Sequence, residues 1–408
     1  MRIALYQTLP SGGAKRFVYE SVRRLIASHA VDAYGLSPAD HAFLDIRPYV
    51  RNYRVYPFVP RHQFRSPFGR LNQLQRWRDV SEIDLISREI ARDMEREGYD
   101  VVFAHPCLYT FIPAVLRYVT IPSVYRLAEA FGPALVRSFD RPYLARQRRP
   151  IGQSLNRIDP LIALYNHRVE YVRKKSLECT TLLLANSRFT QNRMKNAYGV
   201  DSEVCYWGLD AAAFSPVHGV SKEDCVISVG ELTPRKGFDF LVSSLALLPE
   251  SKRPLLKLVC NYQDPAERSY IEDLAAWHNV RLGLLMNLNT QQLAVEYSKA
   301  RLCVYAPVLE PFGVVPLEAM ACGIPVVGVA EGGVKETVVD GLNGRLVARD
   351  PRAFADAVAS LLDDGGLREQ YGRQAREHVL ANWTWDAAVN RLEHYLEKTA
   401  TARSNRYN

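Results

Sequence analysis

The 408-residue chain has the composition of a globular protein, with 48% hydrophobic residues, 24% charged residues and a formal net charge of +8. No apolar run reaches the ~20 residues of a membrane-spanning helix and the first residues lack a signal-peptide pattern, so we expect a cytoplasmic protein, with the inner face of the cell membrane as a further location. The seven cysteines form no C-x-x-C pair, which argues against a disulfide framework and a zinc site.

The amino-terminal residues predict a strand, a glycine loop and a helix. Residues 2–8 form a largely apolar strand candidate. Gly12 and Gly13 then precede a helix that begins near Lys15 and repeats apolar residues at helical spacing. This order is typical of Rossmann-like domains, although the full G-x-G-x-x-G fingerprint is absent. The residues alone leave open whether the two glycines form a tight turn or a loop that approaches phosphate.

The first half of the chain is strongly basic, because residues 1–200 contain 31 Lys and Arg against 17 Asp and Glu. Within it, residues 47–82 (the basic-aromatic segment) concentrate arginine, proline and aromatic residues. Such a surface suits peripheral contact with an anionic membrane. An acceptor-side loop with solvated arginines explains the same composition and is the slightly favoured interpretation. RNA binding uses similar residues, but no RRM or KH pattern is present, so we expect no nucleic-acid partner.

The next predicted elements alternate between helix and strand. Residues 81–97 predict an amphipathic helix, residues 100–105 a strand that ends in His105, and residues 108–119 a further helix. Ligand-binding groups of open α/β sheets lie at the carboxyl ends of strands, which is where this pattern places His105. A lone histidine in an apolar stretch also suits a core, so both interpretations stay open.

The second half repeats the strand, loop and helix order. Residues 225–230 predict a buried strand, and Arg235 and Lys236 lie in the loop after it. Residues 302–305 predict another strand, followed by a loop and a helix that begins near Val314. Gly323 suits a left-handed carboxyl-terminal cap of that helix.

The chemistry of this second half lies at the start of the Val314 helix. The amides of Gly313, Val314 and Val315 would point out of the helix and favour an anion. Glu310 and Glu318 lie on either side of these amides. Carboxylates are poor phosphate ligands but good acceptors for sugar hydroxyls, so this pattern suits a ligand that contains both groups.

Residues 305–347 carry the patterns P-x-x-E-P-F-G, E-A-M-A-C-G-x-P-V-V, G-G-x-x-E and D-G-x-x-G in this order. This stretch resembles the E-x7-E region of the family-4 retaining glycosyltransferases. The resemblance implies the α/β GT-B fold, in which two Rossmann-like domains face each other across a cleft and a carboxyl-terminal helix crosses back to the first domain. We expect domains at residues 1–205 and 206–385, with residues 386–408 as the crossover helix and tail.

The resemblance also implies roles for individual residues. Glu310, His105 and Lys236 would be the catalytic set, with Glu310 and His105 on the donor sugar. Glu318 would bind the ribose. The remaining donor-binding residues would be Gly12, Gly13, Arg235, Lys236, Phe312, Gly313, Val314 and Val315.

One departure from the family pattern affects the expected donor site. Residues 230–237 resemble G-R-x-x-x-x-K-G, but Glu231 stands where arginine is usual. In the family that arginine neutralises the diphosphate. Arg235 is therefore the candidate replacement.

The implied activity is transfer of a sugar from a UDP- or GDP-sugar to an acceptor hydroxyl, with retention of the anomeric configuration. We expect a glycan or lipid-linked acceptor of the cell envelope. We expect no metal or other cofactor, since the chain has no D-x-D motif and cationic side chains can stabilise the leaving diphosphate. Two alternatives stay open: a GT-B nucleotide-sugar epimerase, and a non-catalytic lipid- or nucleic-acid-binding protein on a degenerate sugar-transferase fold.

Overall fold

Short apolar segments on the two sides of residue 215 become the strands of two parallel sheets. The computed structural model describes residues 1–65, 68–127, 139–146 and 159–401. Residues 66 and 67 of the basic-aromatic segment lie outside these described residues. The central strands of each sheet are buried on both faces, which is why they read as nearly continuous apolar runs.

The first sheet has seven described strands in the spatial order β3-β2-β1-β4-β5-β6-β7, all parallel. These are β1 (Arg2–Thr8), β2 (Ala30–Leu36), β3 (Tyr53–Tyr56), β4 (Val101–Cys107), β5 (Ser123–Leu127), β6 (Leu182–Ala185) and β7 (Glu203–Val204). The helices of this part are α1 (Gly13–Leu25), α2 (Asn72–Glu97), α3 (Pro142–Arg146), α4 (Pro160–Cys179) and α5 (Arg188–Tyr198).

The second sheet has six strands in the order β10-β9-β8-β11-β12-β13, again all parallel. These are β8 (Cys225–Val229), β9 (Leu255–Cys260), β10 (Leu282–Met286), β11 (Leu302–Tyr305), β12 (Val326–Val329) and β13 (Gly344–Val347). The helices are α6 (Phe238–Leu245), α7 (Pro265–Trp277), α8 (Thr290–Lys299), α9 (Val314–Ala321), α10 (Val334–Thr337), α11 (Pro351–Asp363), α12 (Gly365–Asn382) and α13 (Trp385–Thr401).

The last helix, α13, returns to the first sheet. It packs on α1, β4 and β5, and Arg24 and His29 of the first domain pair with Asp386 and Glu393 at 2.6 Å and 2.7 Å. One apolar cluster joins residues of both sheets and of α13. Among the described residues, no helix combines the length and the hydropathy needed to cross a bilayer.

Two predicted elements differ from the structure. The helix predicted at 108–119 is wrong, since only the short 3₁₀ helix Ala114–Arg117 forms there. Pro113 lacks an amide proton and disfavours a helical residue before it, and an antiparallel bridge between Cys107 and Phe111 takes up the preceding residues. The strand predicted to end at His105 continues to Cys107.

Candidate donor-binding site

A cavity of about 320 Å³ opens at the carboxyl edge of the second sheet. Its wall comes from the loops after β8 and β9 and from the first turns of α9. The polar and helix-end residues of this wall include Glu231, Arg235, Lys236, Asn261, Val315 and Glu318. Four of the predicted donor residues therefore lie on one cavity, although they are up to 83 positions apart in the sequence.

Lys236 and Glu310 form an ion pair beside this cavity. The Nζ of Lys236 donates to Oε2 of Glu310 at 2.9 Å, and both side chains are largely buried. Lys236 ends the short 3₁₀ helix Pro234–Lys236, and Gly237 then adopts a left-handed backbone with φ +67°. A side chain at Gly237 would overlap the Ala306 carbonyl oxygen, so the loop after β8 packs closely on the loop after β11.

A glycine pair, Gly332 and Gly333, packs closely against the loop that carries Glu310. The Gly333 amide donates to the Glu310 carbonyl at 2.8 Å. Gly332 has φ +64°, and a side chain there would overlap the same carbonyl. Arg349 adds two hydrogen bonds, to the Ala306 and Pro307 carbonyls at 3.0 Å and 2.8 Å. The G-G pattern thus fixes the Glu310 backbone.

Glu318 also lines the cavity, on the second turn of α9. Its Oε2 accepts a hydrogen bond from the Tyr297 hydroxyl at 3.0 Å. Burial raises the pKa of Glu318 to about 7, while the Tyr297 hydrogen bond and the charge of Arg16 act in the opposite direction. Because Arg16 belongs to α1, a charge of the first domain contributes to the electrostatic potential at this carboxyl group.

The amino end of α9 supplies the expected anion-binding amides. Gly313 precedes the helix with φ +96°, and the amides of the first turn have no acceptor within the helix. Val315 lines the cavity. The helix ends as the sequence predicts, with Gly323 in a left-handed conformation at φ +75°.

Two predicted site residues have buried side chains. The Phe312 ring is 3% exposed and packs against Tyr206 and Trp383, with ring centroids 6.1 Å and 5.5 Å away. The structure therefore gives Phe312 a packing role and removes its ring from the cavity. His105 is fully buried between Phe17 and Phe103 and does not line the cavity.

The two remaining predicted residues, Gly12 and Gly13, are exposed at the amino end of α1. Both belong to the first domain and do not line the cavity of the second.

Sequence reasoning did not predict the contacts of three residues. Arg16, Tyr297 and Glu336 each act across a boundary between elements that are distant in the chain. Glu336 accepts hydrogen bonds from the Arg188 and Phe189 amides, both at 2.9 Å, at the start of α5. The G-G-x-x-E pattern marked Glu336, but only the tertiary structure shows that it contacts the first domain.

Comparison with known proteins agrees with this geometry. Residues 212–378 match the family model for glycosyl transferases group 1. The second domain belongs to the group 1 glycosyltransferases. This finding confirms the predicted family.

Curated relatives resemble part of the chain. Identity is 37% over 174 residues with a D-inositol 3-phosphate glycosyltransferase of Corynebacterium diphtheriae, covering 40% of each chain. It is 30% over 245 residues with the GDP-mannose-dependent alpha-(1-6)-phosphatidylinositol monomannoside mannosyltransferase of Mycolicibacterium smegmatis, covering 53% of this chain and 62% of that protein. The chain thus matches about half the length of these curated relatives.

Solved structures resemble nearly the whole chain. Sucrose-phosphate synthase from Thermosynechococcus elongatus aligns with a TM-score of 0.73 at 23% identity, over 98% of this chain and 100% of that one. HepE of Anabaena in complex with UDP and glucose aligns with a TM-score of 0.69 at 20% identity, with the same coverage. At this identity the likeness concerns the fold alone, and it confirms the two-domain GT-B architecture.

Proposed function

We propose that this protein transfers a sugar from a UDP- or GDP-sugar to an acceptor hydroxyl and retains the anomeric configuration. The observation that carries the proposal is the Lys236–Glu310 pair, whose lysine lines the same cavity as Glu318. A nucleotide-sugar needs a cation for its diphosphate and carboxylates for its hydroxyls. The cavity presents both within one recess.

The leaving group determines what the cavity must stabilise. When the sugar–phosphate bond breaks, negative charge grows on the departing diphosphate. Arg235, Lys236 and the first-turn amides of α9 are the groups in the second domain that would meet this charge. We therefore propose that the reaction needs no metal ion.

Retention suits attack on the face from which the diphosphate departs. The acceptor oxygen forms a bond to the anomeric carbon as the bond from that carbon to the phosphate oxygen breaks. The acceptor proton passes to the departing phosphate oxygen, so no protein base is required. Glu310 would hold the sugar hydroxyls and Glu318 the ribose.

The relatives support the substrate class. One of the solved neighbours is a complex with UDP and glucose, and one of the curated relatives is described as GDP-mannose-dependent. We propose a glycan or lipid-linked acceptor of the cell envelope, which the relative named for phosphatidylinositol monomannoside supports.

Calorimetric titration with UDP, GDP and ADP, with and without EDTA, tests the donor class and the metal. We expect micromolar binding of UDP or GDP that the chelator does not change. Lys236→Met should weaken this binding at least tenfold, because the diphosphate loses a charge-assisted contact of about 1.5–3 kcal/mol.

Turnover of the donor that binds tests the catalytic assignment. Glu310→Gln should leave nucleotide binding within a few fold and reduce transfer by at least a hundredfold. Glu272→Gln is the matched control, since this carboxylate pairs with Arg268 on the exposed face of α7. Unchanged transfer by Glu310→Gln, or an anomerically inverted product by NMR, would contradict the proposal.

A further inference from the structure

A short segment of the first domain lies against the second domain, next to the candidate donor-binding site. Residues 139–146 (the bridging segment) belong to the connection between β5 and α4, and they include α3. The bridging segment carries Arg141, which is 5% exposed. The guanidinium group of Arg141 contacts α6, α7 and the loop after β8, all of which belong to the second domain.

Arg141 binds two carboxylates. Its Nε and Nη2 donate to Glu267 of α7 at 2.9 Å and 3.0 Å, and its Nη1 donates to Asp239 of α6 at 2.9 Å. The Tyr143 hydroxyl donates to Oε2 of Glu267 at 2.6 Å. Because Glu267 is fully buried, these donors must replace the water that its charge has lost. The two parallel hydrogen bonds to Glu267 also fix the orientation of the guanidinium plane.

The contacts of Arg141 lie on both sides of the two cations that we propose for the diphosphate. Its Nη2 lies 3.4 Å from the Pro234 carbonyl oxygen. Pro234 begins the short 3₁₀ helix that contains Arg235 and ends at Lys236. Asp239 follows in the first turn of α6. Arg141 therefore contacts the chain immediately before and immediately after these two cations.

The second domain supplies further contacts to the same loop. The Val308 amide donates to the Arg235 carbonyl at 2.8 Å, and Gly237 packs closely on the Ala306 carbonyl. These contacts tie the loop after β8 to the loop after β11. A three-residue 3₁₀ helix has few hydrogen bonds of its own, so its position depends on the groups that pack against it. Arg141 adds such contacts from the first domain.

We infer that Arg141 is a positioning residue for the donor diphosphate, because it holds the loop that carries Arg235 and Lys236. All three guanidinium nitrogens of Arg141 donate to protein oxygens, so Arg141 would act on the donor through this loop and not by contact. A cation that is fixed before the reaction stabilises the leaving diphosphate better than one that must first be ordered. The inference rests on the proposed function for the identity of the ligand, but the support of the loop can be tested without nucleotide.

Hydrogen–deuterium exchange of the unliganded protein tests the support of the loop. In Arg141→Met, the amides of residues 235–239 should exchange at least threefold faster than in the wild type, because the loop loses contacts at both ends. Arg117→Met is the matched control, since Arg117 is a largely buried arginine that pairs with Asp84 at 2.7 Å within the first domain. The control should leave the exchange of residues 235–239 unchanged.

A double-mutant cycle with Lys236→Met tests the consequence for the ligand. Calorimetric titration with UDP and GDP should show at least threefold weaker nucleotide binding by Arg141→Met than by the wild type. In a protein that already carries Lys236→Met, the same change should weaken binding less than twofold, because the cation that Arg141 positions is then absent. A residue that only stabilises the fold would have the same effect on binding in both backgrounds.

A milder variant covers the case in which Arg141→Met yields no folded protein. Asp239→Asn then replaces it in both experiments, since the Asp239 side chain is 28% exposed and its change leaves the Arg141–Glu267 pair in place. We expect the same direction of change in exchange and in nucleotide binding.

The outcomes separate this inference from the proposed function. Unchanged exchange at residues 235–239, or equal effects of Arg141→Met on nucleotide binding in both backgrounds, would overturn the inference and leave the proposed function intact. A wild type that binds neither UDP nor GDP would contradict the proposed function. Faster exchange in Arg141→Met would even then support the positioning of the Lys236 loop by the first domain.

Discussion

At the scale of single residues, Glu318 combines a half-buried carboxyl group with a predicted role in ribose binding. Burial raises its pKa to about 7, so near neutral pH the group is divided between its acid and its carboxylate. A ribose diol donates best to the carboxylate. Nucleotide affinity should therefore depend on the ionisation of this one residue.

We predict that nucleotide affinity falls as the pH is lowered from 8 to 6, because Glu318 takes up a proton in that window. The wild type should lose roughly tenfold in affinity for one pH unit below the pKa. Glu318→Gln should bind more weakly at pH 8 and show little of this pH dependence. Titration calorimetry at five pH values checks this, and an equally steep profile for the variant would assign the titration to another group.

The same pKa affects stability in the absence of nucleotide. The folded-state value lies above the ordinary value of 4.5, so the folded protein binds the proton more tightly than the unfolded chain. Glu318 therefore favours folding at low pH, and this contribution is lost as the pH rises through about 7.

Gly237 is a second residue whose position requires a specific amino acid, because only glycine suits both its backbone conformation and its close packing. We predict that Gly237→Ala lowers the free energy of unfolding by about 2 kcal/mol or more, from the left-handed backbone and the overlap with the Ala306 carbonyl. Urea unfolding measures it. Gly219→Ala is the control, since Gly219 has φ +78° but open space around it, and it should cost only about 1 kcal/mol. Equal losses would show that the close packing on the loop after β11 is unimportant.

At the scale of elements, local patterns determined the strand-loop-helix unit around α9. The signals for this unit are its apolar runs, Gly313 and the Gly323 cap. Each acts on residues a few positions away, so the sequence alone predicted the strand, the loop and the ends of α9. The burial of Phe312 was not predicted and that of His105 was only one of two open interpretations, because both depend on contacts with other elements, made by Tyr206, Trp383 and Phe17. The predicted helix at 108–119 failed for a local reason, Pro113, which the apolar spacing concealed.

The contact between α10 and α5 shows how one element supports another. Glu336 of α10 accepts from two first-turn amides of α5 and from the Tyr206 hydroxyl, all at 2.9 Å. Ser187, the cap of α5, donates to the Pro311 carbonyl at 2.5 Å, next to Glu310. The amino end of α5 therefore rests on the loop that positions the candidate catalytic carboxylate.

We predict that Glu336→Ala lowers the free energy of unfolding by about 1–2 kcal/mol, the usual cost of losing a helix cap. It should also reduce transfer more than it weakens nucleotide binding, because the Glu310 loop loses its support. Urea unfolding and the kinetic constants of the donor reaction measure both effects. The exposed neighbour Lys335→Ala should change neither, and a loss of stability without a change in transfer would limit Glu336 to capping.

At the scale of the whole molecule, two ion-pair groups hold the domains together. Arg141, which follows the first five strands, donates to Glu267 of α7 and Asp239 of α6. Arg24 and His29 hold α13 against the first domain. Both contacts join residues more than 90 positions apart, so no spacing in the sequence could predict them. The division into two domains could be predicted, because it follows from the order of strands and helices.

The basic-aromatic segment forms an exposed surface on the first half of the chain. The basic first half projects apolar side chains from the basic-aromatic segment, among them Val59, Phe64 and Phe68, which are 79%, 41% and 62% exposed. Arg65, Arg76 and Arg78 of this segment make no ion pair with described residues. Apolar side chains among unpaired arginines are the surface that an anionic membrane would bind.

We predict that the protein sediments with vesicles containing phosphatidylglycerol and much less with vesicles of phosphatidylcholine alone. Binding should weaken as salt rises from 50 to 500 mM, since each arginine contributes about 1 kcal/mol that salt screens. The double variant Val59→Asp, Phe68→Asp should weaken binding at least tenfold, because two apolar contacts are lost and two negative charges approach the anionic surface.

Trp277→Asp is the matched control, because Trp277 is 85% exposed on the second domain and should not touch the membrane. If Trp277→Asp weakens binding as much as the double variant, the membrane-facing surface is not the basic-aromatic segment. If salt has no effect on vesicle binding, the unpaired arginines do not bind the membrane and are instead available to contact the acceptor.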